Sequence, residues 1–272
     1  MVSTMPSKAS LGTFGVWGSH LQWADRTDQL AELEELGYGT FWIGGSPGIA
    51  EAERAVAATR SMTIATGIVN VWQSDPEQIA AGFHRLASDR FLLGVGVGHR
   101  QIDQSYEKPY DKLVSYLDHL DHLDVPAESL VLAALGPKVL RLAADRTAGA
   151  HPYLVPVEHT AHAREVLGDK LLAPEVTVVV EEDAATARAI AREQLSFYFS
   201  LTNYTNNWRR WGFSAEDVAG TGSDHLIDAL VAWGTPDQVA AKLRAHVDAG
   251  ADHVAIQSLN GHYAELAAAL GL

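Results

Sequence analysis

Three features are scarce in this sequence of 272 residues, and each scarcity excludes a kind of chemistry. Cysteine is absent, which excludes disulfides, thiolate metal ligands and a cysteine nucleophile. Lysine and arginine number 20 against 34 aspartates and glutamates, so the net charge is −14. Neither nucleic acid nor an anionic membrane surface is therefore an expected partner. No apolar run is long enough to span a membrane.

The amino-terminal segment also lacks an apolar run of the kind that directs secretion. We expect a flexible tail over residues 1–10 and a single domain over residues 11–272. A cytoplasmic location is the corresponding expectation. Apolar residues make up 47% of the chain, which is enough for a large core and argues against disorder.

The stretch over residues 62–99 predicts the unit on which the fold is built. Residues 62–70 and 91–99 are almost wholly apolar and do not alternate, as in parallel strands buried on both faces. Between them, Asp75 is placed as a helix N-cap, and Gln78 is placed to complete a capping box. The stretch is thus predicted to form a right-handed βαβ unit.

Strand and helix patterns alternate over the rest of the chain. The predicted strands cover residues 11–17, 40–43, 62–70, 91–99, 129–134, 148–151, 175–180 and 253–258. Residues 183–252 contain no convincing strand and are predicted to be mainly helical. The pattern predicts an α/β fold, a (β/α)8 TIM barrel with an insertion before strand eight. An open doubly wound sheet is the alternative, but residues 15–18 lack the glycine fingerprint that usually follows its first strand.

In a barrel, ligands bind at the carboxyl ends of the strands. Here those ends are rich in glycine, amide, tryptophan and histidine and poor in carboxylates, which disfavours a glycosidase. This composition suits a flat, uncharged ring that carries one anionic group. Alternatively, the glycines only relieve crowding. His20, His99 and His151 could meet in space, but no carboxylate accompanies them, so no metal site is predicted.

A candidate phosphate site lies after the fifth predicted strand. Gly136, Pro137 and Lys138 begin a helix there, and a helix N-terminus offers backbone N–H groups and a favourable dipole to an anion. An ordinary helix that starts with proline is the alternative reading.

Six stretches together resemble the luciferase-like monooxygenase superfamily, and within it the branch that depends on the deazaflavin coenzyme F420. They are Ala65–Asn70, Asp75-Pro76, Arg90–His99, Ala133–Ala144, Gly149–Tyr153 and Gly250–His253. The resemblance implies a TIM-like barrel, a homodimer, and an insertion that forms a lid. We expect the lid over residues 200–222; the alternative is a fixed insertion with its aromatic side chains packed beneath it. We expect the dimer to use the outer helices after strands two and three, with the alanine-rich face around Ala52, Val56, Ala57 and Ala58. The resemblance also implies hydride transfer at C5 of the deazaflavin.

The same resemblance implies roles for individual residues. A non-prolyl cis peptide bond is expected between Gly67 and Ile68, behind the central ring of the cofactor. Asn70 is expected to bond the pyrimidine end of the ring. The residues expected to bind the cofactor are Trp17, Gly44, Gly67, Ile68, Asn70, Gly96, Gly98, Ala134, Gly136, Pro137, Lys138 and His151.

The catalytic groups differ from those of several relatives. His99 is the candidate catalytic residue, at a strand end where some relatives carry a glutamate. Residues 44–46 are Gly-Gly-Ser, where several relatives carry an acidic residue. The proton donor therefore stays unassigned.

The sequence is compatible with three functions. The first is an F420-dependent oxidoreductase acting on a small, largely apolar organic substrate. The others are an FMN-dependent monooxygenase that uses oxygen, and a barrel that binds a ligand without catalysis. Aromatic side chains that could wall an apolar pocket, or simply belong to the core, are Trp17, Trp72, Tyr106, Tyr204 and Trp208.

Overall fold

The computed structural model describes residues 6–23, 26, 28–103 and 107–272. The strands found there are all paired in parallel. They are β1 (Phe14–Ser19), β2 (Thr40–Gly44), β3 (Thr63–Gly67), β4 (Val69–Asn70), β5 (Phe91–Gly96), β6 (Leu130–Leu132), β7 (Gly149–Ala150), β8 (Leu171–Leu172), β9 (Glu175–Val180), β10 (Val231–Gly234) and β11 (Val254–Ser258).

Helices alternate with these strands. They are α1 (Lys8–Leu11), α2 (His20–Trp23), α3 (Asp28–Glu35), α4 (Ile49–Ala58), α5 (Pro76–Leu86), α6 (Pro109–His122), α7 (Pro137–Arg146), α8 (Val157–Leu167), α9 (Ala184–Leu195), α10 (Thr202–Arg210), α11 (Asp224–Leu230), α12 (Pro236–Asp248) and α13 (Tyr263–Leu270). Two short 3₁₀ helices cover Ala127–Ser129 and Tyr198–Ser200.

The sheet closes on itself. Its order is β10-β9-β11-β1-β2-β3-β5-β6-β7-β8, with β4 beside β5. Because β8 and β9 are successive parts of residues 171–180, the end of this order returns to its beginning. The N–H of Asp252 donates to the carbonyl of Leu172 (2.9 Å), and the N–H of Glu175 donates to that of Pro152 (2.8 Å). The fold is therefore a TIM-barrel-like α/β barrel, as predicted.

Strand side chains divide into two buried layers. One layer fills the inside of the barrel and includes Trp17, Trp42, Ala65, Leu92, Val131, Ala173 and Ala255. The other packs against the surrounding helices and includes Val16, Phe41, Ile64, Leu93, Val178 and Ile256. Burial on both faces explains why these strands read as continuous apolar runs in the sequence.

The first predicted strand is displaced. Residues 11–17 were expected to be extended, but the strand starts at Phe14 because Leu11 ends α1 and Gly12 turns the chain with a positive φ of 68°. Part of the expected tail is therefore ordered as helix, with Ser7 capping it. Residues 1–5 of that tail lie outside the described part of the chain.

A strand inside the insertion was missed. The prediction of no strand over residues 183–252 was wrong, because Val231–Gly234 forms β10. This strand has only four residues and pairs with the outer part of β9, where Ala232 lies opposite Val178. A segment this short has no periodicity of its own, so its extended form depends on the free edge of β9.

Helix caps follow the sequence closely. Asp75 caps α5 as predicted, by accepting a hydrogen bond from the N–H of Glu77 (2.8 Å). The expected capping box is incomplete, because among the described residues the side chain of Gln78 does not accept from the N–H of Asp75. A complete capping box forms in α12, between Thr235 and Gln238. None of the described helices is both long and apolar enough to cross a membrane.

Candidate functional site

The floor of the barrel mouth is built from glycines on β3 and β5. The peptide bond between Gly67 and Ile68 is cis, as predicted, and it separates β3 from β4. A Cβ atom on Gly94 would lie 1.9 Å from the carbonyl oxygen of Thr66, and one on Gly96 would lie 2.8 Å from Cδ1 of Ile68. These glycines therefore let the bulge at Ile68 pack directly against β5.

Two buried ring nitrogens without partners lie beside Gly67. A Cβ atom there would be 2.9 Å from Nε1 of Trp17 and 3.3 Å from Nε2 of His151. Neither nitrogen has a hydrogen-bond partner among the described residues. The ring of Trp17 also covers Gly44, where a Cβ atom would lie 1.9 Å from Cζ2. The structure thus brings four predicted site residues together.

The protonation state of His151 follows from its surroundings. Its Nδ1–H donates to the carbonyl of Ala173 (2.6 Å), and its ring stacks on Trp42 with the centroids 4.0 Å apart. Burial lowers the pKa of His151 to about 4, so the ring is neutral and Nε2 is a bare acceptor. Beside Gly67 the protein therefore presents one unused donor, on Trp17, and one unused acceptor.

Asn70 is at the mouth, but its amide is bonded within the chain. Its Nδ2 donates to the carboxylate of Asp103 (3.2 Å), and its Oδ1 accepts from the N–H of Trp72 (3.0 Å). Asp103 is buried and also accepts from Nε2 of Gln73 (2.9 Å). Gly98 is needed here because a Cβ atom would lie 2.5 Å from Nδ2 of Asn70, and its φ is 57°.

His99 lies on the same loop. Its Nδ1 is buried and has no partner among the described residues, and burial lowers its pKa. The ring lies 5.4 Å from that of Tyr204, and Tyr204 lies 6.2 Å from Tyr153. Tyr153 in turn lies 5.2 Å from Trp17. A row of aromatic contacts therefore joins His99 to Trp17 across the mouth.

The N-terminus of α7 has a partner that the sequence did not reveal. Gly136 is the N-cap residue and Pro137 begins the helix. The guanidinium of Arg210, at the end of α10, is close to this N-terminus. Its Nη1 lies 3.9 Å from the position that a Cβ atom on Gly136 would occupy. Nη1 donates to Oδ1 of Asn207 (3.3 Å), while the buried Nδ2 of Asn207 has no partner in the described chain.

The α7 cluster, which comprises the N-terminus of α7, Arg210 and Asn207, offers only donors and positive charge. It therefore fits an anion better than a helix N-terminus alone would. Ala134, which precedes α7 in the chain, is buried, and Lys138 is in the first turn of the helix. The two arginines at residues 209–210 are a visible feature of the sequence that could have indicated an anion site. No sequence pattern, however, indicates that they lie close to α7 in the fold.

A buried carboxyl group was also missed. Glu175 begins β9 and is fully buried, with its oxygens accepting from the N–H of Leu154 (3.1 Å) and the hydroxyl of Thr177 (2.6 Å). Burial raises its pKa to about 7. Functional groups were expected at the carboxyl ends of the strands, whereas Glu175 lies at the start of its strand.

Nδ1 of His20 is bonded to the carbonyl of Gly44 (2.9 Å), so His20 adjoins the group of site residues that includes Gly44. Trp208 is fully buried in the insertion, and Tyr106 lies outside the described residues. In the part of the chain that the structure describes, no three metal-binding side chains are grouped so as to hold an ion.

The fold and the position of these residues define an α/β-barrel protein with its candidate site at the carboxyl ends of the strands. The sequence profile of luciferase-like monooxygenases matches residues 8–123 and 116–253. The chain therefore belongs to the luciferase-like monooxygenase family, whose members are oxidoreductases and monooxygenases. A comparison with curated protein sequences gave no match.

Solved structures share the fold at low sequence identity. An F420-dependent secondary alcohol dehydrogenase in complex with an F420-acetone adduct has a TM-score of 0.73 and 13% identity, covering 95% of this chain and 98% of its own. The coenzyme F420-dependent tetrahydromethanopterin reductase from Methanopyrus kandleri has a TM-score of 0.67 and 14% identity, covering 94% and 97%.

An FMN complex is also similar. The oxygenating constituent of 3,6-diketocamphane monooxygenase from Pseudomonas putida, in complex with FMN, has a TM-score of 0.63 and 14% identity, with 93% and 96% covered. The neighbours thus include enzymes that use F420 and enzymes that use FMN.

Proposed function

We propose that this protein is an oxidoreductase that uses coenzyme F420 to transfer a hydride to or from a small organic substrate. The observation that carries the proposal is the pair of unpartnered ring nitrogens of Trp17 and His151 beside Gly67. Leaving a buried donor and a buried acceptor unbonded is costly, so both are suited to a ligand that supplies their partners. A ring with carbonyl and N–H groups along one edge does so.

The proposed cofactor would also use the α7 cluster. The N–H group of Lys138 and the guanidinium of Arg210 would hold its phosphate, whereas the N–H of Val139 already donates to the carbonyl of Gly136 (3.1 Å). Gly96 and Ile68 would support the ring from behind. When bound, the deazaflavin supplies or accepts the hydride.

His99 is the proposed acid–base group for the substrate. Its unpartnered Nδ1 and lowered pKa leave a neutral imidazole at the mouth, next to Tyr204. Asp103 accepts hydrogen bonds both from the amide of Asn70 and from the backbone N–H of His99 (3.3 Å). Through Asp103, Asn70 would therefore position the loop that carries His99.

FMN is the second candidate cofactor, with oxygen as the oxidant. It is favoured by the same donor and acceptor groups, and by the similar structure that contains FMN. A barrel that binds without catalysis would instead use these groups to hold a ligand only. A homodimer and a cytoplasmic location stay predictions.

Titration of the apo protein with each cofactor, followed by fluorescence, tests the proposal. We expect F420 to bind with micromolar or tighter affinity and with a mild salt dependence, because a chain of net charge −14 gains little from an acidic ligand beyond local donors. Tight FMN binding without F420 binding would replace the assignment with the monooxygenase. Absence of binding by either would contradict both.

Gly67→Val is the matching variant. Its side chain would collide with the rings of Trp17 and His151, so cofactor binding should be lost. Gly48→Val is the control, because a Cβ atom there meets only the exposed Oε2 of Glu51 at 3.2 Å. Unchanged cofactor binding by the Gly67→Val protein would contradict the placement of the cofactor ring beside Gly67.

A further inference from the structure

A cavity of about 280 Å³ lies between the carboxyl ends of β1 and β11 and helix α9. Its walls include Trp17, Gln22, Glu193, Gln194, Gln257 and Tyr263. Trp17 belongs both to this cavity and to the proposed ring site, so the two are neighbours. The volume is near the lower end of the range for small-molecule sites, which is about 300 Å³.

The amide of Gln257 is held in one orientation. Tyr198 donates to the hydroxyl of Tyr153 (3.0 Å), and Tyr153 donates to Oε1 of Gln257 (2.6 Å). Only 6% of Gln257 is exposed to solvent. No described residue accepts a hydrogen bond from its Nε2 amide group. Because Oε1 is occupied, the NH₂ group is the part of this amide that is left for a ligand in the cavity.

The charge of the cavity has one sign. Among the described residues that line it, Glu193 is the only carboxylate and is exposed to solvent, and there is no lysine, arginine or histidine. Gln22 and Gln194 add amides that both donate and accept. A lining of this kind differs from the apolar pocket that the sequence suggested.

We propose that this cavity is the substrate pocket, and that the substrate is a small hydroxylated molecule bearing a cationic amine. That the bound molecule is a substrate rests on the proposed function, whereas its binding to the cavity needs no cofactor. A hydroxyl or carbonyl oxygen of the ligand accepts from Nε2 of Gln257. The ammonium pairs with Glu193, and the rings of Trp17 and Tyr263 cover the carbon skeleton.

Calorimetric titration of the apo protein with three probes of equal size tests the proposal. The probes are 4-aminocyclohexanol, 1,4-cyclohexanediol and 4-hydroxycyclohexanecarboxylate. We expect the amino alcohol to bind about tenfold more tightly than the hydroxy acid, with the neutral diol between them, because one nearby carboxylate favours the cation and repels the anion. Equal binding, a preference for the hydroxy acid, or no binding of any probe would overturn it.

Two variants separate the contributions. Glu193→Gln should abolish the preference between amino alcohol and hydroxy acid, while Glu158→Gln, an exposed change on α8, should leave it intact. Gln257→Glu keeps an acceptor for the hydroxyl of Tyr153 but removes the donor, so it should weaken binding of the diol. A preserved preference in Glu193→Gln, or unchanged diol binding in a Gln257→Glu protein with wild-type thermal unfolding, would overturn the assignment.

Failure of the proposed function gives a different result. In that case F420 does not bind, although the amino alcohol still binds and its binding depends on Glu193. If the pocket assignment alone fails, a cofactor binds and the probes do not discriminate by charge.

Discussion

At the scale of single residues, Glu175 shows how burial and hydrogen bonding act on one group. Its N–H donates to the carbonyl of Pro152, and its carboxylate accepts from the N–H of Leu154. It thus fastens the loop that carries Tyr153 to β9. The same burial raises its pKa from 4.5 to about 7, so the native state prefers the protonated carboxyl.

This shift predicts how Glu175→Gln changes stability with pH. Below pH 4.5 the carboxyl is protonated in both states, and between pH 4.5 and about 7 it ionises first in the unfolded state. The native protein therefore loses stability as pH rises through that window. Relative to wild type, Glu175→Gln should gain about 3 kcal/mol between pH 4 and pH 8.

Urea unfolding of both proteins at the two pH values measures this difference. Glu158→Gln, on an exposed site of α8, is the control and should show no such pH dependence. A stability difference between Glu175→Gln and wild type that stays constant with pH would show that Glu175 titrates normally.

At the scale of elements, the insertion combines a buried core with a contact to the mouth. Trp208 is fully buried and its Nε1–H donates to the carbonyl of Leu154 (2.9 Å). On the other side, Gln101 donates to the carbonyl of Ser200 (3.1 Å) and Asn203 to that of Gly98 (3.4 Å). Part of the aromatic stretch is therefore packed beneath the insertion, as the alternative to a lid required.

The end of α10 is where a ligand should affect the insertion. Residues 200–222 were predicted to form a mobile lid, and Arg209 and Arg210 are its exposed tryptic sites. We expect trypsin to cut after these residues in the apo protein, and F420 or inorganic phosphate to slow the cut because the anion would hold Arg210 against α7.

Cleavage after Arg54, an exposed residue of α4, serves as the internal control. Its rate should not depend on the added anion. Cleavage after Arg210 that neither ligand slows, or no cleavage in the apo protein, would count against a lid.

At the scale of the whole molecule, the predicted homodimer interface needs one correction. The face of α4 was expected to expose Ala52 with Val56, Ala57 and Ala58, but Ala52 is fully buried in the core of its own chain. Ala57 is exposed, and Val56 and Ala58 are half-buried. An interface on α4 would therefore use these three residues and not Ala52.

Light scattering tests the dimer. We expect a mass of twice the 29.3 kDa of one chain at micromolar concentration, and dissociation in Ala57→Arg because a charge would be buried against the partner. Ala268→Arg, on the exposed side of α13, should stay dimeric. A wild-type mass near 29.3 kDa would refute the prediction.

The sequence by itself determined the barrel, most of the order of strands and helices, and the N-caps of α5 and α12. It could do so because these depend on local features: apolar runs, residues that cap, and glycine or proline at defined offsets. The cis bond after Gly67 was also anticipated, though through the family resemblance and not through local chemistry.

Only the tertiary structure decided which distant groups meet. Closure of the barrel brings Trp17 beside His151, places Arg210 at the N-terminus of α7, and buries Glu175 within its interior. No periodicity encodes such meetings, since they depend on how strands and insertion pack in three dimensions. Burial is also what changes the chemistry of these groups, because removing water leaves ring nitrogens unpaired and moves the pKa of a carboxyl.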